Sequence, residues 1–407
     1  MVGRRLRIGM VAACPLPARR GTPLRIERLA EALAARGHHV ELLTYHLAEE
    51  PGHFEFPVWR VFGRLEAGTL PPGPTLAKLM LYDPALAWLI ARRLREQPFD
   101  VIHAHHVEGL AAAALGRQGR SVPLVYDAHT LLAGELPAYG KSFARRAIRA
   151  LGEKLDGWLP RLAEHVVAVT DDIAAALSER HGLDPRRISV VPNGVEVDLF
   201  AAGAARVTSR PELLAYTGTL APYQGIDLLL EAFAKARARR PGLKLRLLSN
   251  SDFTPYAALA RRLGVADALE LLPERLESLP EQLAEAPVAV LPRVDCPGLP
   301  QKLLNYMASG RAVVAFAGSA KRIEHEVTAL VVPNHDTDAF AAAILRLVAD
   351  PGEAMRLGRA AHAFVAATSS WATAAERCER VYAGLLDTER ATTLPGTGTP
   401  ETLAPVP

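Results

Sequence analysis

Residues 286–317 read APVAVLPRVDCPGLPQKLLNYMASGRAVVAFA. Val288 to Leu291 is a short apolar run, the pattern of a strand buried on both faces of a parallel sheet. Pro292 to Gly298 is loop sequence, punctuated by Pro292, Pro297 and Gly298. Pro300, Leu303, Leu304 and Met307 recur at helical spacing and predict a helix over 299–308, with Gly310 at its stop. Ala312 to Phe316 is a second apolar run. The order is strand, loop, helix, strand. A helix N-terminus facing such a loop offers unpaired N–H groups and a positive dipole end to an anion. In an open parallel sheet, ligands bind at the carboxyl ends of strands, where this loop lies. An ordinary βαβ unit without a ligand has the same pattern, so the decision falls to the rest of the chain.

At 407 residues the chain exceeds one ordinary core, and two domains are expected. Apolar residues at 49% and charged residues at 22% give a globular balance. A net charge of +3 is too small to imply a nucleic-acid partner. Cys14, Cys296 and Cys378 are scattered and odd in number, which argues against a disulfide framework or a zinc site. The opening MVGRRLRIGMVAA leads into a loop and reads as a first strand rather than a signal peptide. No apolar run approaches the roughly 18 residues of a membrane-spanning helix. The expectation is a cytoplasmic protein, with peripheral contact at the inner membrane face left open.

The first half repeats the opening pattern. Leu6 to Ala12 is a strand, and Cys14 to Gly21 a loop. Thr22 is the expected N-cap, and Pro23 suits the first helical position. Ile26, Leu29, Ala30 and Leu33 follow at helical spacing, and Gly37 ends the helix before a strand over Val40–Thr44. The loop lacks the GxGxxG of a dinucleotide site. Residues 47–80, with Pro51, Pro57, Pro71, Pro72 and Pro74, predict an irregular excursion that is either mobile or ligand-facing. A helix over 83–96, a strand over Asp100–Ala104, a helix including Ala111–Leu115 and a strand over Leu124–Tyr126 come next. That last strand ends in Asp127-Ala128-His129-Thr130, which favours His129 over His103, His105 and His106 as a site residue. A satisfied structural histidine is the plainer alternative.

Residues 141–161, KSFARRAIRALGEKLDGWLPR, interleave six basic residues with Phe143, Ile148, Leu151, Leu155, Trp158 and Leu159. Such a helix fits an anionic membrane surface, or else simply packs on its own domain. Strands at Val166–Val169 and Ile188–Val191 flank a helix over 171–180. Residues 195–211 read as a loop, and the domain boundary is placed there. Strands at Leu213–Tyr216, Leu243–Leu248, Leu269–Leu272 and Leu330–Val332 join those of the opening stretch. Helices are expected from Ile226, over 255–263, and near 336–349, 352–366 and 371–387. The Pro-, Thr- and Gly-rich tail from 391 is expected to be disordered.

Together several of these stretches resemble glycosyltransferase family 4, retaining enzymes built from two facing Rossmann-like domains with a deep cleft between them, the GT-B arrangement. The matching residues are Gly21, VIHAHH at 101–106, YDAHT at 126–130, ISVVPNGVEVDLF at 188–200, YTGTLAPYQGIDLLLEAF at 216–233, GLPQKLLNYMASGRAVVAF at 298–316 and the turn at 329–333. The resemblance implies an acceptor-side domain at 1–200, a nucleotide-sugar domain at 201–370 and a helix at 371–390 crossing back to the first domain. It implies transfer of a sugar from a nucleotide diphosphate sugar, with retained anomeric configuration, no cofactor and no obligatory metal. Leaving diphosphate needs charge stabilisation, and domain closure excludes water. His129 matches the family's active-site histidine, near the transferred sugar. Gly21, Thr22, Gly218, Thr219, Gln224, Arg293, Gly298, Leu299, Pro300, Lys302 and Asn305 are the implied donor-binding residues. Arg25 and His105 are candidates on the acceptor side.

The departures are specific. The family usually has Arg directly after the glycine matched by Gly218, and Lys five residues later; here these are Thr219 and Gln224. Its usual pair of Glu residues is Pro297 and Asn305 here. Arg293 and Lys302 flank the loop and are positioned to supply the missing charge. Two further readings stay open at this stage. One is a catalytically silent nucleotide-sugar-binding subunit of a glycan assembly. The other is an epimerase or phosphorylase on the same fold.

Overall fold

The computed structural model describes residues 4–393, apart from 19–20, 50–51, 72, 74, 140–144, 276 and 297–298. Gly298, Pro297, the first residues of the basic 141–161 stretch and the tail beyond 393 therefore lie outside the described residues. Two parallel sheets organise the chain. The first half contributes β1 (Arg7–Ala12), β2 (His39–Thr44), β3 (Leu47–Ala48), β4 (Val58–Arg60), β5 (Glu66–Ala67), β6 (Val101–His105), β7 (Leu124–Ala128), β8 (His165–Ala168) and β9 (Ile188–Val190). Seven of these form a sheet in the order β4-β2-β1-β6-β7-β8-β9, and β3 pairs with β5. The second half contributes β10 (Leu213–Thr217), β11 (Lys244–Leu248), β12 (Leu269–Leu272), β13 (Val288–Leu291), β14 (Ala312–Phe316) and β15 (Leu330–Val332). Their order is β12-β11-β10-β13-β14-β15.

The continuous apolar strands are explained by burial on both faces. In β14, Ala312, Val314 and Phe316 enter one core while Val313 and Ala315 enter the other. Because side chains alternate, both sets must be apolar. The first sheet is covered on one face by α1 (Gly21–Ala35), and on the other by α2 (Asp83–Glu96) and α3 (His106–Arg117). Beyond these lie the paired helices α4 (Leu132–Tyr139) and α5 (Arg145–Trp158), and the short α6 (Asp171–Ala175). The second sheet is flanked by α7 (Val197–Arg206), α8 (Ile226–Arg239), α9 (Thr254–Arg262), α10 (Leu279–Ala284), α11 (Gln301–Ala308), α12 (Thr337–Ala349) and α13 (Pro351–Thr368). The last helix, α14 (Trp371–Thr393), packs against α1.

Several expectations need correction. Residues 195–211 are not a loop, because α7 occupies 197–206. Phe200 of α7 is buried in the second core, and Gly203 lies against Pro280 of α10. This helix packs with the second half, so a boundary at 200/201 would cut it, and the linker is 192–195. Thr22 is not an N-cap, since α1 already begins at Gly21. The excursion at 47–80 is more ordered than expected, with three short strands and a helical segment at Lys78–Tyr82. The last helix runs to Thr393, past the expected start of the tail.

The linker Pro192-Asn193-Gly194 is pinned from three sides. Val195 N–H donates to the Ser369 carbonyl at 2.8 Å. Gln301 Nε2 donates to the Gly194 carbonyl at 2.9 Å. A Cβ on Gly194 would meet the Trp371 ring at 2.5 Å. Farther out, Lys321 after β14 pairs with Asp172 after β8 at 2.6 Å. Each follows the carboxyl end of its strand, so the two sheets turn those ends toward one another.

Candidate active site

Topology locates two candidate sites. In the first sheet the chain order reverses between β1 and β6, and in the second between β10 and β13. Ligand crevices open at the carboxyl ends of strands at such reversals.

At the first reversal Ala12 pairs with His105. A cavity of about 300 Å³ opens there, lined by Cys14, Gly21, Thr22, Lys78, His105 and His106 among others. Behind it lies a buried polar network. Alternation along β6 puts His103 and His105 on one face, with their rings stacked at 4.6 Å. Asp127 of β7 joins them. Arg25 of α1 reaches Asp127 Oδ2 at 2.9 Å and donates to the Asn193 side chain at 3.1 Å and the Val191 carbonyl at 3.0 Å. His103 Nε2 lies 3.2 Å from Asp127 Oδ2, and its Nδ1 2.5 Å from the Tyr382 hydroxyl of α14. Burial alone would raise the Asp127 pKa, but Arg25 and the histidines hold it well below the usual carboxylate range.

Arg25 is therefore not available to an acceptor. It is 1% exposed and its guanidinium is committed to Asp127, Asn193 and Val191. It ties α1 to the interdomain linker. His103, His105 and Asp127 are close enough together to hold a metal ion. The Arg25 guanidinium already occupies the Asp127 oxygen, so a metal cation there would meet like charge.

His129 stands just past β7 and is 9% exposed. Its Nε2 is 3.2 Å from His105 Nδ1. Burial pushes its pKa down to about 3, against the opposing pull of Asp127, so the ring is neutral near pH 7. His106, its ring 5.9 Å from that of His129, bonds Glu108 at 2.9 Å, and Lys78 lies 3.7 Å from Glu108. His106 carries a φ of 63°, a conformation that costs a non-glycine residue on the order of 1–3 kcal/mol.

At the second reversal, Gly218 follows β10 with a φ of 102°. A Cβ there would come within 2.8 Å of Lys302 Nζ. Lys302 lies on the first turn of α11. Its Nζ donates to the Tyr216 hydroxyl at 2.8 Å and to Gln224 Oε1 at 3.1 Å, and sits 4.1 Å from the Tyr216 ring centre. Both hydrogen-bond partners are neutral. Burial lowers the Lys302 pKa to about 7, with Glu274 opposing. Gln224 thus holds a lysine rather than replacing one. Arg293 stacks on Tyr223 at 4.9 Å, which joins the loop after β13 to the loop after β10. Gly225, φ 72°, lets that second loop approach: a Cβ would meet the Pro292 carbonyl oxygen at 2.3 Å.

The structure thus brings together Gly218, Thr219, Gln224, Arg293 and Lys302. Thr219 takes part through its carbonyl, which accepts from the Tyr216 hydroxyl at 2.7 Å. Pro300 caps α11 in an extended conformation, and half-buried Asn305 lies one turn beyond Lys302. The Leu299 side chain is buried in the second core, which leaves it no polar role. Gly21 and Thr22 instead line the first-domain cavity; a Cβ on Gly21 would have open space around it. Sequence reasoning missed Asp127, Asn193, Tyr216 and Tyr382. The signal for Asp127 was the alternation of His103, His105 and Asp127 on adjacent strands.

Residues 20–199 match the family profile described as Glycosyltransferase Family 4, and residues 211–350 that described as Glycosyl transferases group 1. A D-inositol 3-phosphate glycosyltransferase of Kribbella flavida is 33% identical over 300 residues, 68% of this chain and 70% of that protein. One of Geodermatophilus obscurus is 33% identical over 374 residues, 84% and 80% of the two chains. The chain belongs to glycosyltransferase family 4. This glycosyltransferase shares its two-domain fold with sucrose-phosphate synthase of Thermosynechococcus elongatus (TM-score 0.76, 23% identity, 94% and 100% of the two chains). It also shares it with HepE of Anabaena, solved in complex with UDP (TM-score 0.70, 18% identity, 93% and 100%). The fold is therefore GT-B, and among the described residues no helix is long and apolar enough to cross a membrane.

Proposed function

We propose that this glycosyltransferase takes a nucleoside diphosphate sugar on its second domain and transfers the sugar, with retained configuration, to a molecule held in the first-domain cavity. The observation that carries this reading is Lys302. A partly buried ammonium with neutral partners sits beside Gly218, at the N-terminal turn of α11. That combination binds an anion, and a diphosphate fits it. HepE, on the same fold, is solved with UDP.

The retaining course is supported by the character of His129. A histidine whose pKa lies near 3 is a poor general base at neutral pH. Its role in this reading is to contact the donor sugar and support the transition state. Arg293 lends further positive charge beside the diphosphate. No cofactor enters the reading, and no step is assigned to a metal.

The test is thermal stability with UDP, GDP, ADP and CDP. A ligand that binds only the folded protein raises Tm by mass action. One nucleotide should stabilise selectively, and donor hydrolysis should follow with the matching sugar. No shift with any of them, together with no hydrolysis, would favour a silent subunit.

A peripheral position at the inner membrane face is part of the same proposal. On α5, Gly152 and Asp156 face inward; Asp156 accepts from the Leu132 and Ala133 N–H groups at 2.9 Å. Outward stand Leu151 and Trp158, 53% and 59% exposed, among Arg146, Arg149, Lys154 and Arg161. Apolar anchors ringed by bases suit an anionic lipid surface. Anionic liposomes should co-sediment the protein at low salt, and less so after Arg146→Ala with Arg149→Ala. Equal sedimentation of the variant would remove the argument.

A further inference from the structure

The last helix meets the first domain through two different sets of residues. Cys378 and Tyr382 of α14 enter its core. Arg377, Arg380, Val381, Gly384 and Leu385 recur at helical spacing and line one side of a second cavity. The other side is β9, the outermost strand of the first sheet. The volume is about 640 Å³, within the range of small-molecule sites. This cavity shares no lining residue with the one at the end of β6.

Its walls are basic. Arg186 and Arg187 stand at the foot of β9, with Arg377 and Arg380 opposite them on α14. Glu164 is the one carboxylate among the described lining residues, and Arg117 already holds it at 2.8 Å. Arg186 is paired with Asp184 at 2.9 Å. The other three arginines meet no carboxylate among the described residues. Arg187 donates to the Glu164 carbonyl at 3.1 Å and to that of Ala163. Arg377 reaches only the Val190 carbonyl, at 3.4 Å, and Arg380 is exposed. Glu379, on the same helix, is taken by Arg36 and His38 at 2.7 and 2.9 Å. His165 lies in the wall, bonded to the Ser189 hydroxyl at 2.9 Å; burial, and then the Arg187 charge, lower its pKa and keep it neutral near pH 7.

Three cations around one cavity with only neutral partners repel one another, and an anion between them would relieve that repulsion. Planar guanidinium forks match the oxygens of a phosphate. The two walls also carry the interdomain connection. β9 runs into Val191, whose carbonyl accepts from Arg25, and then into the linker at 192–194. α14 begins with Trp371 against Gly194 of that linker.

We propose that this cavity binds a small, multiply charged phosphate compound between β9 and α14, and that the bound anion fastens the last helix to the strand leading into the interdomain linker. The site is separate from the diphosphate site proposed around Lys302, and the inference does not depend on that reading.

The experiment is calorimetric titration of the full-length protein with sodium pyrophosphate and, in parallel, with UDP. Both resemble the donor diphosphate, so the titrations are made in Lys302→Met as well as in the unaltered protein. Lys302→Met should still bind, and the tighter of the two ligands tells an inorganic from a nucleoside diphosphate. Adding Arg377→Gln and Arg380→Gln to Lys302→Met should weaken that binding at least about tenfold. Inorganic phosphate, with less charge, should bind more weakly than pyrophosphate. Hydrogen exchange of the unaltered protein locates the site should the arginine variant fail to fold: pyrophosphate should slow exchange over 186–190 and 374–385. Three results would overturn the proposal: no binding to Lys302→Met at millimolar ligand, undiminished binding without the two arginines, or protection confined to 216–225 and 293–305. The last would leave the donor site standing as the only anion site, so the two readings fail separately.

Discussion

At the scale of single residues, charge placement separates this chain from the usual family pattern. The loop after β10 carries Thr219 and Gln224 where Arg and Lys are usual, which from sequence alone reads as a weakened anion site. The structure shows Lys302 reaching that loop from α11, held by Gln224 and Tyr216. Holding an ammonium there costs stability, because burial disfavours the charged form. Lys302→Met should therefore separate binding from folding. Loss of one charge-assisted contact predicts at least about tenfold weaker nucleoside diphosphate affinity. The same change removes a poorly compensated buried charge, so at about pH 6 Tm should rise. Calorimetric titration and thermal denaturation read the two effects. A variant with unchanged nucleotide affinity would dissociate Lys302 from the diphosphate, whatever its Tm.

At the scale of elements, legibility followed burial. The strands of the second sheet are read almost to the residue, because most are apolar on both faces and bounded by loop residues. Leu330–Val332 is found with the expected bounds. Helix α2, over 83–96, is equally plain from its spacing. Helix α7 was missed because VDLFAAGAAR is short and has no capping side chain at Glu196. Its helicity is fixed by tertiary contact: Phe200 enters a core, and Gly203 allows Pro280 to approach. The site divides in the same way. Lys302 and Arg293 lie within the stretch that decides the fold, so local sequence points to them. Arg25 was placed on the acceptor side because nothing local reveals Asp127, 102 positions away, as its partner. Tyr382, separated from His103 by 279 positions, is beyond any local reading. Buried polar networks are specified by pairs of residues distant in sequence, and a single sequence displays only the separate halves.

At the scale of the whole molecule, both domains hold ionisable groups whose burial makes stability rise with pH. In the first domain His129 is held neutral, its pKa about 3 against an ordinary value near 6.5. Between those values the unfolded chain binds a proton that the folded chain refuses, so stability rises with pH across that window. His105, also shifted down by burial, acts in the same direction. Asp127, shifted down, contributes stability that is lost as pH falls through its folded pKa. Acid therefore attacks the first domain, where α14 and the linker are also anchored. In the second domain Lys302 titrates near 7 rather than 10.4. Stability again rises with pH from about 7 upward, as the folded state releases a proton that the unfolded chain retains. In the proposed reading the protonated ammonium binds the anion, so nucleotide affinity should move the other way there. The prediction is a Tm that climbs from about pH 4 to pH 7 and continues upward, while nucleoside diphosphate affinity declines above about pH 7. Lys302→Met should abolish that alkaline decline and leave the acid limb in place; His129→Gln should make the acid limb shallower, with His105 and Asp127 still contributing, and leave the alkaline decline. Tm and affinity measured across pH for the three proteins check each limb. An alkaline decline that persists in Lys302→Met would assign the titrating cation elsewhere and remove Lys302 from the diphosphate site.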